Sequence, residues 1–400
     1  MKKSLIVVFC VCASLFYGLA QDVNKLANDF VQYIQTGQYE QAIIVGNRIL
    51  PYLTDEGNER NYGTILSHMF NCYISLGEYD KAIEAGIQVV EIFKQVLGED
   101  HPDYATALNN LALCYYYKGD YNKGIELGTV ALETRKRLLG TSHPDYAQSL
   151  NNLALCYGEL GEYNRAIELY TQALEIMKWA PGENTPDYAT TLSNLAEGYD
   201  NIGNYAKAIE IASQAIEIRK RLLGESHPDY VQVLNNLIGY YDHLGDYNKA
   251  IEIGTYAVEL NKRVYGESHQ SYFASLRVLA DLNSKLGYYN EAIRLGTELV
   301  SLKEKAFGTN HSNCAVSLAN LADYYSGSGN NNEAIRLATQ AISIWKDNVG
   351  IENPNYATML FNLAGYYGLM GDFKKAIQLD SEAMAISPTS TVANCYLAVL

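Results

Sequence analysis

HPDYATALNNLALCYYYKGDYNKGIELGTVALETRKRLLGTS, residues 101–142, is the stretch that decides the fold. Pro102 suits the first turn of a helix, where its missing N–H costs nothing. Tyr104, Leu108, Leu111, Ala112 and Tyr115 follow at spacings of three and four, which is one apolar helical face. Gly119 ends that helix and Asp120 can cap the next. The second helix runs to about Leu139, with Ile125, Leu127, Ala131, Leu132 and Leu138 inward, and Gly140 closes it. The stretch therefore predicts a helix–turn–helix pair.

The same pattern recurs on both sides. Tyr62, Tyr104, Tyr146, Tyr188, Tyr230, Tyr272, Cys314 and Tyr356 stand 42 residues apart, as do Gly77, Gly119, Gly161 and their successors to Gly371. A fixed period of this length means a stacked array whose neighbours share one continuous core. Alanine rows mark where helix backbones approach: Ala112, Ala154, Ala196, Ala280, Ala322 and Ala364 on the first helix, and Ala131, Ala173, Ala215, Ala257, Ala341 and Ala383 on the second. A larger side chain there costs about 1–3 kcal/mol by overpacking.

Leu111-Ala112, Tyr115, Gly119, Tyr121 and Ala131 together resemble the tetratricopeptide repeat. The length of 42 residues and the phrase HPDYATALNNLA are similar to the longer subtype of kinesin light chains and of many bacterial arrays. The resemblance covers nearly all of the chain after residue 20. It implies an all-α fold, a right-handed α-solenoid of stacked antiparallel helix pairs, with the first helices lining a concave groove. Gly124 departs from the pattern by replacing the usual alanine, which Ala166 restores in the next repeat.

Four segments follow from the register. Residues 1–20 read as a signal peptide: Lys2 and Lys3, an apolar run from Leu5 to Phe16, then Gly18 and Ala20 at the −3 and −1 places of a cleavage site. Residues 21–56 form an atypical N-terminal repeat, in which Tyr33, Gly37, Tyr39 and Ala42 keep the pattern. Residues 57–387 hold eight 42-residue repeats. The sixth departs most, with Gln270, Asn283 and Leu299 at positions elsewhere held by proline, tyrosine and alanine, and a softer joint is expected there. Residues 388–400 begin a further, incomplete repeat of the 34-residue type, since Leu397 and Ala398 follow Leu363 and Ala364 by 34. Export places the mature chain in the periplasm, outside the cell or at the surface of a bacterium, with no stable membrane span after signal cleavage.

Composition narrows the function. Net charge is −15, which repels phosphate backbones and argues against nucleic-acid partners; tyrosine is abundant, at 34 residues. Cys72, Cys114, Cys156, Cys314 and Cys395 remain after the signal, an odd number that reads as core thiols rather than a disulfide framework. His101, His143, His227, His269 and His311 recur one repeat apart beside proline or its replacement, a spacing that reads as helix starts rather than metal ligands. No phosphate-binding loop, Cys-x-x-Cys or His-Glu-x-x-His pattern occurs, so no catalytic residue, metal or cofactor is assigned.

One row carries the functional expectation. Asn110, Asn152, Asn194, Asn236, Asn320 and Asn362 share a position on the first helix. Within the resemblance, such amides bond the backbone of an extended peptide, offering a donor and an acceptor to any peptide unit. Variable neighbours then set specificity: Leu113, Leu155, Glu197, Gly239, Asp281, Asp323 and Gly365 in one row, and Tyr117, Glu159, Asn201, His243, Lys285, Gly327 and Leu369 in another. The competing role for the asparagines is bonding between adjacent helices. Val278 breaks the row in the sixth repeat. The expected function is a non-enzymatic scaffold that binds a peptide or protein partner in its groove. A second reading is the sensory or docking region of a larger signalling protein, or of a caspase-like protease, with its catalytic domain beyond residue 400. A third is a structural spacer or self-assembling array.

Overall fold

The computed structural model describes residues 21–351 and 353–387. The expected signal peptide, the shortened repeat from Pro388 and Cys395 lie outside the described residues. The chain falls into two compact units, Met1–Ile211 and Ala212–Leu400.

The N-terminal unit begins with α1 (Gln21–Gln35) and α2 (Tyr39–Ile49), the atypical pair. Three regular pairs follow: α3 (Glu59–Ser75) with α4 (Tyr79–Leu97), α5 (Pro102–Tyr117) with α6 (Tyr121–Leu139), and α7 (Pro144–Glu159) with α8 (Tyr163–Met177). Then comes α9 (Pro186–Asn201), and the boundary between the units falls within α10 (Tyr205–Leu223). The C-terminal unit continues with α11 (Pro228–Leu244) and α12 (Tyr247–Tyr265), α13 (Gln270–Lys285) and α14 (Tyr289–Phe307), α15 (Ser312–Gly327) and α16 (Asn331–Asn348), and α17 (Pro354–Leu369) and α18 (Phe373–Ile386). There is no strand among the described residues. The fold is an all-α array of helix pairs.

Local chemistry explains the boundaries. The recurrent histidines begin helices: the Nδ1 atoms of His101, His143, His227, His269 and His311 each accept a backbone N–H two residues on, at 3.1–3.2 Å. Thr185 and Asn353 do the same work with side-chain oxygens. These acceptors satisfy one of the orphan amides at the helix start. Asp120 accepts from Lys123 N at 3.1 Å, as its position between the helices requires. At the end of α5, Gly119 adopts φ +79°, a left-handed conformation in which its N–H reaches Tyr116 O and that of Asp120 reaches Tyr115 O.

The alanine rows lie in the core, those of the second helix being 0 % exposed throughout. Gly124 has a specific cause: a Cβ built there would meet Cys156 Sγ at 2.8 Å and Ala112 O at 3.2 Å. Cys72, Cys114, Cys156 and Cys314 are free and buried, and burial pushes the thiol of Cys114 up to about 12. The sixth repeat absorbs its departures. Leu299 joins the core of the C-terminal unit, and the buried Asn283 amide donates to Leu279 O at 2.7 Å.

A buried arginine was not foreseen. Arg135, on α6, is 2 % exposed; its Nη1 donates to Asp145 O at 2.7 Å and Ser149 Oγ at 2.9 Å, tying α6 to the start of α7. Arg219 reaches Asp229 O at 2.8 Å from the same repeat position. The two tryptophans differ sharply. Trp179, in the irregular turn Lys178–Gly182 after α8, is 85 % exposed, whereas Trp345 on α16 is 7 % exposed.

Candidate functional site

All six asparagines of the predicted row are half-buried on first helices. They do not all behave alike. Asn110 Nδ2 donates to Asn71 Oδ1 on α3 at 3.1 Å, and Asn362 Nδ2 donates to Asp323 Oδ1 at 3.4 Å, so these two bridge neighbouring helices. Asn152, Asn194, Asn236 and Asn320 make no side-chain hydrogen bond to another described residue. Two asparagines one place earlier, Asn109 and Asn151, also bridge helices. Asn109 Oδ1 accepts from Ser149 Oγ at 3.0 Å and Asn151 Oδ1 accepts from Thr191 Oγ1 at 3.2 Å. In the phrase NNLA at 151–154 the first amide joins helices and the second, Asn152, bonds no other described side chain.

In the N-terminal unit a cavity of about 330 Å³ opens between α5, α7, α8 and α9. Asn194 lines it, together with Glu159 and Glu197 from the two variable rows. Tyr116 and Tyr121 hydroxyls donate to Glu159 at 3.4 and 3.5 Å. Glu197 lines the cavity and remains solvent-exposed; partial desolvation, with Glu159 and Asp200 nearby, holds its carboxyl above the usual range. Burial first, then the nearby carboxylates, likewise push the Tyr116 hydroxyl upward. Gly158 and Gly198 also line the space.

In the C-terminal unit a cavity of about 550 Å³ lies between α11, α13 and α15. Asn320 lines it, and Val278 stands where the row is broken. Here the carboxylates have partners from the chain itself. Arg277 Nη1 lies 2.8 Å from Asp281 Oδ2, and Lys285 Nζ lies 2.6 Å from Asp242 Oδ1. Tyr324 donates its hydroxyl to Asp281 and Tyr366 donates to Asp323. Burial, opposed by the Tyr366 bond and reinforced by Asp281, pushes the Asp323 carboxyl up to about 6. The sequence had placed Glu159, Glu197, Lys285, Asp281 and Asp323 in rows of variable neighbours; the structure gathers them into two cavities. Arg277, Asp242, Tyr170 and the tyrosine donors were missed, because their roles depend on contacts across repeats.

A family profile for the tetratricopeptide repeat matches residues 61–137, 107–178, 187–262, 234–305, 286–347 and 315–389. The chain belongs to the tetratricopeptide repeat family. Among solved structures it is similar to nearly identical TPR-like repeats of a kinesin light chain from Podosopora anserina, at 26 % identity and TM-score 0.48, over 51 % of this chain and 97 % of that one. The apo form of RapI shares the fold at 16 % identity and TM-score 0.62, over 91 % of this chain and 97 % of that one. The apo quorum sensor NprR from B. thuringiensis does so at 15 % identity and TM-score 0.56, over 92 % and 99 %. No curated relative matches significantly. No helix among the described residues is long and apolar enough to cross a membrane.

Proposed function

We propose that this tetratricopeptide repeat protein is a non-catalytic binding scaffold that holds an extended peptide segment of a partner against the first-helix faces. The carrying observation is the set of half-buried amides on Asn152, Asn194, Asn236 and Asn320, which repeat at one position and have no side-chain hydrogen-bond partner among the described residues. An amide so placed pairs with a peptide N–H or C=O whatever the peptide's sequence. The cavities beside Asn194 and Asn320 supply the side-chain selectivity that a row of identical amides lacks. The segment over residues 1–20 supports export, with the scaffold acting in the periplasm or at the outer face of a bacterial cell.

The test is affinity capture with residues 21–400, followed by calorimetry on the captured partner. Asn152→Ala with Asn194→Ala is expected to weaken binding about tenfold, while the melting temperature moves by no more than about 1–2 °C, because the lost amides bond nothing in the free protein. Unchanged affinity sinks the groove assignment. Cell fractionation that leaves the chain in the cytosol sinks the export reading.

A further inference from the structure

The cavity of the N-terminal unit has a chemistry of its own. It presents two carboxylates, Glu159 and Glu197, and no lysine, arginine or histidine lines it. One more polar group lines the space. Tyr170, on α8, is 4 % exposed, lines the cavity, and its hydroxyl bonds to no described residue. Packed in this way, the residue is buried while its hydroxyl tip stays available to a donor. Tyr170 lines the same cavity as Glu159, Glu197 and Tyr116.

We propose that this cavity receives a cationic side chain, lysine or arginine, of the bound peptide. The side chain would lie between Glu159 and Glu197 and donate to the Tyr170 hydroxyl oxygen, with the ring of Tyr163 at the wall. A lysine or arginine stem is long enough to bring its charge into such a recess while its backbone stays beside Asn194, the row residue that lines the same cavity. The ligand's positive charge relieves the mutual repulsion of the two glutamates, and its several N–H donors match the acceptors present. The C-terminal unit shows the arrangement with the chain's own atoms. Lys285 stands at the repeat position of Glu159, and Asp281 at that of Glu197; there the carboxylates are neutralised internally by Arg277 and Lys285. The N-terminal cavity keeps the acids and lacks the bases. A strongly acidic chain, with net charge −15, also favours approach of a basic segment.

The proposal rests on the peptide-groove reading, and the test separates the two. A randomised nonapeptide library is selected against the native chain, and the enriched peptides are titrated by fluorescence polarisation. Enrichment of lysine or arginine at one position is expected. Replacing that arginine by citrulline, or that lysine by norleucine, should weaken binding about tenfold, as for loss of one charge-assisted contact. Glu159→Gln with Glu197→Gln should abolish the difference between charged and neutral peptides. Asn152→Ala should weaken both equally. Peptides that bind with no cationic preference, or whose preference survives in the double glutamine variant, overturn the cation site and leave the groove standing. A library that yields no binder overturns both. The citrulline and norleucine arms need no change in the protein, so a poorly folding variant does not blunt the test.

Discussion

The two units carry comparable cavities on their first helices and treat charge in opposite ways. In the N-terminal unit Glu159 accepts from the Tyr116 and Tyr121 hydroxyls, and no base lines the cavity it shares with Glu197. In the C-terminal unit Asp242 and Asp281 hold Lys285 and Arg277 within 2.8 Å. The repeat pattern is the same, so the difference lies in which residues occupy a few repeat positions, Lys285 for Glu159 and Arg277 for Ser193 among them. A repeat array can thus copy a helix face many times and still give each copy its own electrostatics, because the variable rows are free of the packing that fixes Ala154 or Ala322.

The most severe way to break the contrast is to give the N-terminal cavity its own base. Glu197→Lys places an ammonium against Glu159, as Lys285 stands against Asp242. Binding of a cationic peptide should fall about a hundredfold by fluorescence polarisation, since attraction becomes like-charge repulsion. A fall no larger than that of Glu197→Gln would show that charge plays no part there.

A smaller effect concerns acid. Asp323 has a folded-state carboxyl raised to about 6 from an ordinary value of 3.8. Between those values the folded chain binds a proton that the unfolded chain does not, so this group adds stability as pH falls from about 7 toward 4 and costs stability above its folded pKa. Asp323→Asn keeps the acceptor for Tyr366 and removes the charge. It should stabilise the chain at pH 7.5 by on the order of 1 kcal/mol, discounted for the solvent that still reaches the carboxylate, and by little at pH 4. Thermal melts at the two pH values read the difference. Equal shifts at both would mean that Asp323 titrates normally.

The mildest change strips the C-terminal cavity of its bases. Arg277 and Lys285 are about half exposed, so Arg277→Met with Lys285→Met should lower stability by only about 0.5 kcal/mol per pair in chemical denaturation. The same variant should acquire a preference for cationic peptides, which sharpens the comparison more than any loss would.

Much of this architecture was legible in the chain. Helix starts at His101 and its successors, ends at Gly119 and Gly140, and the alanine rows are local or strictly periodic signals, and a period of 42 aligns them without ambiguity. Arg135 was not legible, because RKRLLG reads as an exposed helix end until the next repeat folds over it. Asn109 hides for a similar reason: in NNLA both amides look equivalent, and only contacts with other repeats tell them apart, Ser149 for Asn109 and Asn71 for Asn110. Gly124 looked like a lapse from the alanine pattern, and Cys156 across the helix boundary turns it into a steric requirement. The cavities were invisible for the strongest version of that reason, since each draws on three or four helices at once. What sequence conveys well is periodic; what it conceals is the contact that couples one period to the next.

The placement of the two tryptophans gives the protein an optical property. Trp179 in the N-terminal unit stands in water, and Trp345 in the C-terminal unit is packed among Leu337, Ile344 and their neighbours, so the pair forms a built-in two-colour reporter. Excited together, Trp179 emits at long wavelength and is open to a collisional quencher such as iodide, while Trp345 emits further to the blue and is shielded. The blue component therefore follows melting of the C-terminal core alone, in the unlabelled chain.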